Sequence, residues 1–98
     1  MKTRIRVEAQ VEAFVKSLAP NPKKRLRLAI KSLVDGHGNI KSLEGNLAGY
    51  SRLSVTGYRV IFKEHAEHGI RIIDCIFAER RALVYEIFVS LLAEQSLE

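Results

Sequence analysis

Residues 50–63 read YSRLSVTGYRVIFK, and this stretch decides the fold. Tyr50 to Val55 and Tyr58 to Lys63 are rich in β-branched and aromatic residues, and only Thr56-Gly57 separates them. Two such runs joined by two turn residues predict a tight antiparallel hairpin. A third run of the same kind, Ile70 to Phe77, follows after a polar turn. The centre of the chain is therefore predicted to form three consecutive antiparallel strands.

Two amphipathic helices are predicted before these strands. The first begins near Glu8 and stops at Pro20, and its apolar residues follow the i, i+3, i+4, i+7 spacing of one helical face: Val11, Phe14, Val15 and Leu18. In the second helix Asn21 is the predicted N-cap and Pro22 the first helical position. Its apolar face consists of Leu26, Ala29, Ile30 and Leu33. The glycine-rich residues 35–39 end it, so the two helices form a hairpin.

The two ends of the chain add one element each. Thr3 to Val7 alternates polar and apolar residues, which predicts a short first strand. After Arg81 the helical spacing returns, and a last helix is predicted from the apolar positions Val84, Ile87, Phe88 and Leu91. The order β-α-α-β-β-β-α predicts one α+β domain over residues 1–98, with a two-helix hairpin packed on a small antiparallel sheet.

The composition indicates a basic protein with a real core. The 98 residues carry a formal net charge of +5, and the sequence pI is about 9.7. This excess of positive charge suits nucleic acid and an acidic protein equally as binding partners. The alternative to both is a solvated basic surface that binds no ligand. Cys75 is the single cysteine and lies among apolar residues, so a core thiol in the reducing cytoplasm is expected. No segment approaches the roughly 20 apolar residues of a membrane helix.

Several arginines fall where the predicted strands place them close together. Arg52 and Ser54 share one strand face because side chains alternate across a strand, and Arg59 is available on the next strand. The pair Arg80-Arg81 ends the third strand, and Tyr85 lies one helical turn beyond. We expect these groups to converge at one end of the sheet. Guanidinium groups bind phosphate oxygens in pairs, so the set suits a phosphodiester.

Spacing alone also admits a purely structural interpretation of these arginines. The carboxylates available to pair with them are Glu64, Asp74 and Glu79. Glu79 is also a candidate base, although pairing with arginine is the simpler expectation. The three histidines, His37, His65 and His68, fall in predicted loops and have no accompanying ligand set, so no metal site is expected.

Three motifs in order resemble those of RelE-like toxins. Residues 42–53 (SLEGNLAGYSRL) resemble the leucine-glycine-arginine stretch of that family, and residues 56–62 (TGYRVIF) resemble its second signature. Residues 78–85 (AERRALVY) resemble its closing arginine and Val-Tyr pair. The helix hairpin and strand order are also similar, so the resemblance covers nearly the whole chain. It identifies the sequence as similar to the RelE/ParE superfamily of type II toxins, closer to the RelE-like mRNA interferase branch.

The resemblance implies an endoribonuclease that cleaves mRNA, often in the ribosomal A site, without metal or cofactor. By matching position, Arg59 and Arg81 would hold the scissile phosphate, and Arg52 would be a further cation. Tyr85 would stack on a base or take part in proton transfer, and Arg80 is the alternative to Arg81. The remaining phosphate-binding candidate is Ser54, which stands where some members carry a second lysine, so one expected cation is missing.

The resemblance also implies partners. A cognate antitoxin with an acidic or amphipathic segment would wrap the domain and cover or distort the basic hollow, and operator DNA would be bound only through that complex. A membrane partner is not expected. The alternative function is a ParE-like gyrase-binding poison without ribonuclease activity, which the missing lysine keeps open. A nucleic-acid-binding module without toxicity is the third hypothesis.

Overall fold

The computed structural model describes residues 2–96, in which one five-stranded sheet carries helices on both faces. The helices are α1 (Ala9–Lys16), α2 (Pro20–Ser32) and α3 (Val84–Ser96). The strands are β1 (Thr3–Val7), β2 (Asn39–Ser42), β3 (Ser51–Val55), β4 (Tyr58–Glu67) and β5 (Ile70–Arg80). The predicted α+β class and element order are confirmed, and β2 is an additional strand.

The sheet has the order β1-β5-β4-β3-β2, so the predicted central hairpins form its middle. The pairs β2·β3, β3·β4 and β4·β5 are antiparallel, whereas β1 lies parallel to β5. The sheet therefore has one strand more than the four predicted, and it is mixed in direction rather than antiparallel. Gly57 has φ of +81° in the turn between β3 and β4, a conformation that glycine adopts without a steric penalty.

The larger core lies between the sheet and the α1/α2 hairpin, on what we call the hairpin face. It includes Leu26 and Ile30 of α2 and, from the sheet, Leu53, Val60 and Phe62. Gln10 fastens the start of α1 to β5, because its side chain both donates to the carbonyl of Ala78 and accepts from its N–H, each at 2.8 Å. The predicted apolar faces of α1 and α2 are thus the ones that contact the sheet.

Helix α3 covers part of the opposite side of the sheet, which we call the α3 face. Val84 and Phe88 of α3 are buried there against Ile61 and Phe77. Phe88 stacks on Phe77 with ring centroids 5.7 Å apart and meets Tyr50 edge to face at 5.2 Å. Leu91, predicted to face the core, is 37% exposed, and Leu92 packs against this cluster instead.

Two further local predictions were wrong. The N-cap of α2 is Ala19 rather than Asn21, and the helix begins at Pro20, because the fixed φ of a proline at the first position already suits a helix. Strands β4 and β5 extend to a tighter turn at His68-Gly69. His65 therefore lies within β4 and not in a loop, where its imidazole is 3.3 Å from the Glu67 carboxylate.

No helix between residues 2 and 96 is long and apolar enough to cross a membrane.

Candidate functional site

Arg52 and Tyr85 form the centre of the candidate site. Arg52 projects from β3 onto the α3 face, and its Nη1 donates a hydrogen bond to Tyr85 Oη at 3.0 Å. Its Nε is buried and has no hydrogen-bond partner among the described residues. The guanidinium fixes the phenol oxygen as an acceptor, so the phenol proton is free to be donated elsewhere. The pair therefore combines a positioned hydroxyl with a cation whose donors are only partly used.

Arg59 lies beside this pair at the start of β4. It stands opposite Ser54 of β3 and Glu79 of β5 in the sheet register, and so shares their face. Its Nη1 donates to the carbonyls of Tyr58 at 2.8 Å and Val55 at 3.4 Å. No ion pair to Arg59 occurs within residues 2–96. The two carbonyls therefore orient the Arg59 guanidinium at the β3–β4 turn. No carboxylate of the described residues neutralises its charge.

Ser54 lies between the two arginines on the same face. It is two residues from Arg52 along β3 and directly opposite Arg59 across the strand pair, and it is half-buried. The small hydroxyl adds no charge at this position. A phosphate here would meet two guanidinium groups and a neutral hydroxyl.

Arg81 follows β5 immediately, in the turn that leads into α3. Its backbone N–H donates to the carbonyl of Gly57 at 2.9 Å, which ties this turn to the β3–β4 hairpin. The side chain is exposed and lines an open hollow of about 460 Å³ with Gly57, Tyr58 and Arg80. Arg81 is thus at the same end of the sheet as Arg59, with its guanidinium available to a ligand.

Arg80 does not join the cluster on the α3 face. Its guanidinium carbon lies 6.0 Å from the ring centroid of Phe14 in α1, on the hairpin face. The Glu79 carboxylate accepts a hydrogen bond from the Arg80 backbone N–H at 2.9 Å and lies 3.7 Å from its guanidinium. Of the four arginines expected to converge, Arg52 and Arg59 share the α3 face. Arg81 lies at the same end of the sheet, in the hollow that it shares with Arg80 and Tyr58. Glu79 is engaged with Arg80, as the pairing interpretation predicts.

The reason for the misplaced Arg80 is an irregularity in the sheet. A β-bulge lies where Ile61 pairs with Phe77 but the next residue, Phe62, pairs with Cys75. The extra residue Ile76 reverses the alternation, so Cys75 faces the hairpin and Phe77 faces α3. If strict alternation of side chains is assumed from Cys75 onward, every later residue of β5 is assigned to the wrong face of the sheet.

Sequence reasoning did not single out Asp74 as a site residue. Asp74 is the one charged residue that is buried among those described, with 7% of its surface exposed. Its Oδ1 is inaccessible and has no hydrogen-bond partner there. A charged residue inside the apolar run of β5 is the signal that was available in the sequence.

Cys75 and Glu67, both outside the cluster, have pKa values shifted by their surroundings. Burial, reinforced by the charge of Asp74, raises the pKa of the Cys75 thiol to about 12. Hydrogen bonds from His65 and Arg6 lower the pKa of Glu67 below its usual value. Residues 2–96 contain no group of three or more His, Cys, Asp and Glu side chains arranged to hold a metal ion.

Neither a protein-family model nor a curated protein matches this sequence. Solved structures do match. A chain of the RelBE2 toxin–antitoxin complex from Mycobacterium tuberculosis is 16% identical, with a TM-score of 0.59, over 83% of this chain and 100% of that one. A YoeB/ParE toxin from Agrobacterium tumefaciens is 15% identical, with a TM-score of 0.58, over 83% and 99%.

A third match is the RelB–RelE antitoxin–toxin complex from Methanococcus jannaschii, at 18% identity and a TM-score of 0.60, over 85% of this chain and 98% of that one. The protein therefore has the fold of the RelE/ParE toxins, as the sequence motifs predict. Identities this low show the shared fold and leave the activity to be argued from the site.

Proposed function

We propose that this protein is the toxin of a type II toxin–antitoxin module and acts as a metal-independent endoribonuclease on mRNA, in association with the ribosome. The observation that carries the proposal is the 3.0 Å hydrogen bond from Arg52 Nη1 to Tyr85 Oη, beside Arg59 on the same sheet face. The fold shared with RelE and YoeB/ParE toxins supports it. The site of action would be the cytoplasm, where mRNA is translated.

In the proposed reaction the ribose 2′-hydroxyl attacks the adjacent phosphorus. A bond forms between O2′ and phosphorus, the bond from phosphorus to the 5′-oxygen breaks, and the products are a 2′,3′-cyclic phosphate and a 5′-hydroxyl. Arg59 and Arg81 hold the non-bridging oxygens and stabilise the charge that develops on them. Arg52 fixes Tyr85, whose phenol donates its proton to the leaving 5′-oxygen, while solvent water accepts the 2′-hydroxyl proton.

An antitoxin is the proposed protein partner, and the surface offers a place for it. A groove of about 650 Å³ lies between α1, α2 and the edge strand β1, with the apolar residues Ile5, Val7 and Leu28 in its lining. Its basic residues are Lys16, Lys23, Lys24, Arg27 and Lys31. An acidic amphipathic segment would bury its apolar side there and meet this charge. Operator DNA would be contacted through that complex.

A gyrase-binding poison is the second candidate function, and Ser54 is the observation that favours it. The position adds no charge between Arg52 and Arg59, so the phosphate site has one cation fewer than a lysine there would supply. A gyrase binder has no chemical requirement for a phenol fixed by a guanidinium, which is why we rank ribonuclease activity first.

Expression in cells separates the two functions. We expect induction to produce new mRNA ends in codon phase by primer extension, while plasmid supercoiling stays intact. Arg81→Ala and Tyr85→Phe should each reduce cleavage about 10²-fold. The matched controls Arg25→Ala, on exposed α2 surface, and Tyr50→Phe, in the Phe88 contact, should cleave normally. Loss of supercoiling with intact mRNA would instead establish the gyrase poison.

A further inference from the structure

Asp74 is a buried carboxylate in the middle of β5, and its neighbours in the structure leave it unpaired. It faces Arg6 of β1 and Lys63 of β4 in the sheet register. Arg6 instead pairs with Glu67 at 3.1 Å. Lys63 is exposed and forms no ion pair within the described residues. Asp74 therefore has two cations beside it and is bound by neither.

An unpaired buried carboxylate is unfavourable because it has lost water without gaining a donor. Native structures rarely keep such a group unless something else satisfies it, so each case calls for an explanation. Asp74 Oδ1 is occluded and has no partner in the described chain, so this oxygen gains a donor only from an ordered water, a ligand or a movement of Arg6 or Lys63.

A cavity of about 330 Å³ adjoins Asp74 on the α3 face. Charged residues of its lining are Glu8, Lys63 and Asp74, and the aromatic residues are Tyr50, Phe77 and Phe88. Phe88 contacts both other rings, so the aromatic part is one packed cluster. The volume is at the lower end of the range for small-molecule sites and suits a single side chain. None of Arg52, Arg59, Arg81 or Tyr85 lines it.

We propose that this cavity is an anchor site for a guanidinium group on an apolar stem, that is, an arginine side chain. The planar guanidinium matches the Asp74 carboxylate and stacks on aromatic rings, whereas an ammonium offers a point charge only. Glu8 adds a second negative group at the cavity, and the apolar lining receives the methylene stem. The Lys63 ammonium stands beside Asp74 in the sheet register and repels a second cation there. The site does not depend on the proposed ribonuclease activity.

The test is an NMR titration of the full chain with Nα-acetyl-L-arginine methylamide, with the citrulline analogue as the uncharged control of equal shape. We expect saturable shifts at residues around Asp74 with the arginine probe and none with citrulline. Asp74→Asn should weaken binding at least about tenfold, because a charge-assisted pair is lost. Absence of saturable binding, or equal binding by Asp74→Asn, would overturn the proposal.

Lys63→Gln gives a second test, in which binding of the arginine probe should become tighter rather than weaker. This variant can be used if Asp74→Asn does not fold. Removing the repelling ammonium should tighten binding of the arginine probe several-fold. If Lys63→Gln lowers stability and leaves probe affinity unchanged, Lys63 is the partner of Asp74 and the proposal is wrong. A short peptide with one internal arginine distinguishes the source: binding well above that of the free probe points to a protein segment, and equal binding to a small guanidinium ligand.

Discussion

The two faces of the sheet are built differently. On the hairpin face twelve of the described residues form a buried core, and all twelve residues are apolar. Helices α1 and α2 and strands β3, β4 and β5 contribute to it. On the α3 face the corresponding core has five buried residues, and Arg52, Arg59 and Asp74 stand on the same side of the sheet. Among residues 2–96 the two buried side-chain atoms without a partner, Arg52 Nε and Asp74 Oδ1, belong to this second face.

The difference indicates that stability and chemistry are largely separated. Complete apolar packing on one face supplies the stabilisation, since buried area sets the hydrophobic contribution. The other face keeps polar groups that the described residues do not fully satisfy, and such groups are typical of functional sites. Changes on the hairpin face should therefore affect unfolding, and changes on the α3 face should affect binding or cleavage.

The largest expected effect is on the hairpin face. Phe62→Ala removes a ring that is 1% exposed and should lower the free energy of unfolding by about 3–5 kcal/mol. Urea denaturation followed by circular dichroism measures it. Leu28→Ala, at a residue 55% exposed, is the matched control and should change stability by less than about 0.5 kcal/mol. A loss below 1 kcal/mol for Phe62→Ala would break the comparison, because the hairpin core would then not carry stability.

Arg52→Gln, on the α3 face, should affect RNA cleavage strongly and the free energy of unfolding only weakly. The variant loses the cation that fixes Tyr85, so RNA cleavage should fall roughly tenfold to a hundredfold. The free energy of unfolding should change by no more than about 1.5 kcal/mol, the scale of one hydrogen bond. Initial rates on a defined RNA and a denaturation curve give both quantities. Arg52→Lys should recover part of the rate because it restores the charge, and a rate unaffected in both variants would remove Arg52 from the site.

Asp74→Asn is expected to have a small effect on the stability of the free protein. Because the carboxylate is buried and unpaired, replacing it by a neutral amide should leave stability unchanged or raise it by up to about 1 kcal/mol. Thermal denaturation of the two proteins at the same pH and salt measures the difference. A loss of more than 2 kcal/mol would mean that Asp74 has a structural partner and that the α3 face is more complete than described.

The smallest effect at neutral pH concerns Cys75. Its folded pKa, about 12, lies above its ordinary value of 9.0, so the folded protein keeps the thiol proton when the unfolded chain loses it. The resulting stabilisation is fully present below pH 9 and is lost as pH rises from 9 toward 12. At pH 8 a thiol reagent should react with Cys75 only after denaturation. Rapid labelling of the native protein would show that the hairpin core opens readily.

The sequence was sufficient for the central hairpins and helix faces, where apolar periodicity is strong. It did not predict β2, because Asn39–Ser42 is short and fully exposed and is defined only by its pairing with β3. The convergence of Arg52 and Arg59 followed from alternation along unbroken strands. The sheet face on which Arg80 lies could not be predicted in this way, because the bulge at Ile76 appears only when β5 is paired with β4. Asp74 was visible as a charge in an apolar run, but its isolation depends on where Arg6 finds its partner.

Incubation of the purified protein with a defined RNA in EDTA, followed by analysis of the fragment ends, determines whether the protein is a metal-independent ribonuclease. We expect fragments with 2′,3′-cyclic phosphate and 5′-hydroxyl ends from wild type and Tyr50→Phe, and far fewer from Tyr85→Phe. The reaction should be repeated with programmed ribosomes, where cuts are expected in codon phase. RNA left intact under both conditions, or cleavage equal in wild type and Tyr85→Phe, would contradict the proposed ribonuclease function.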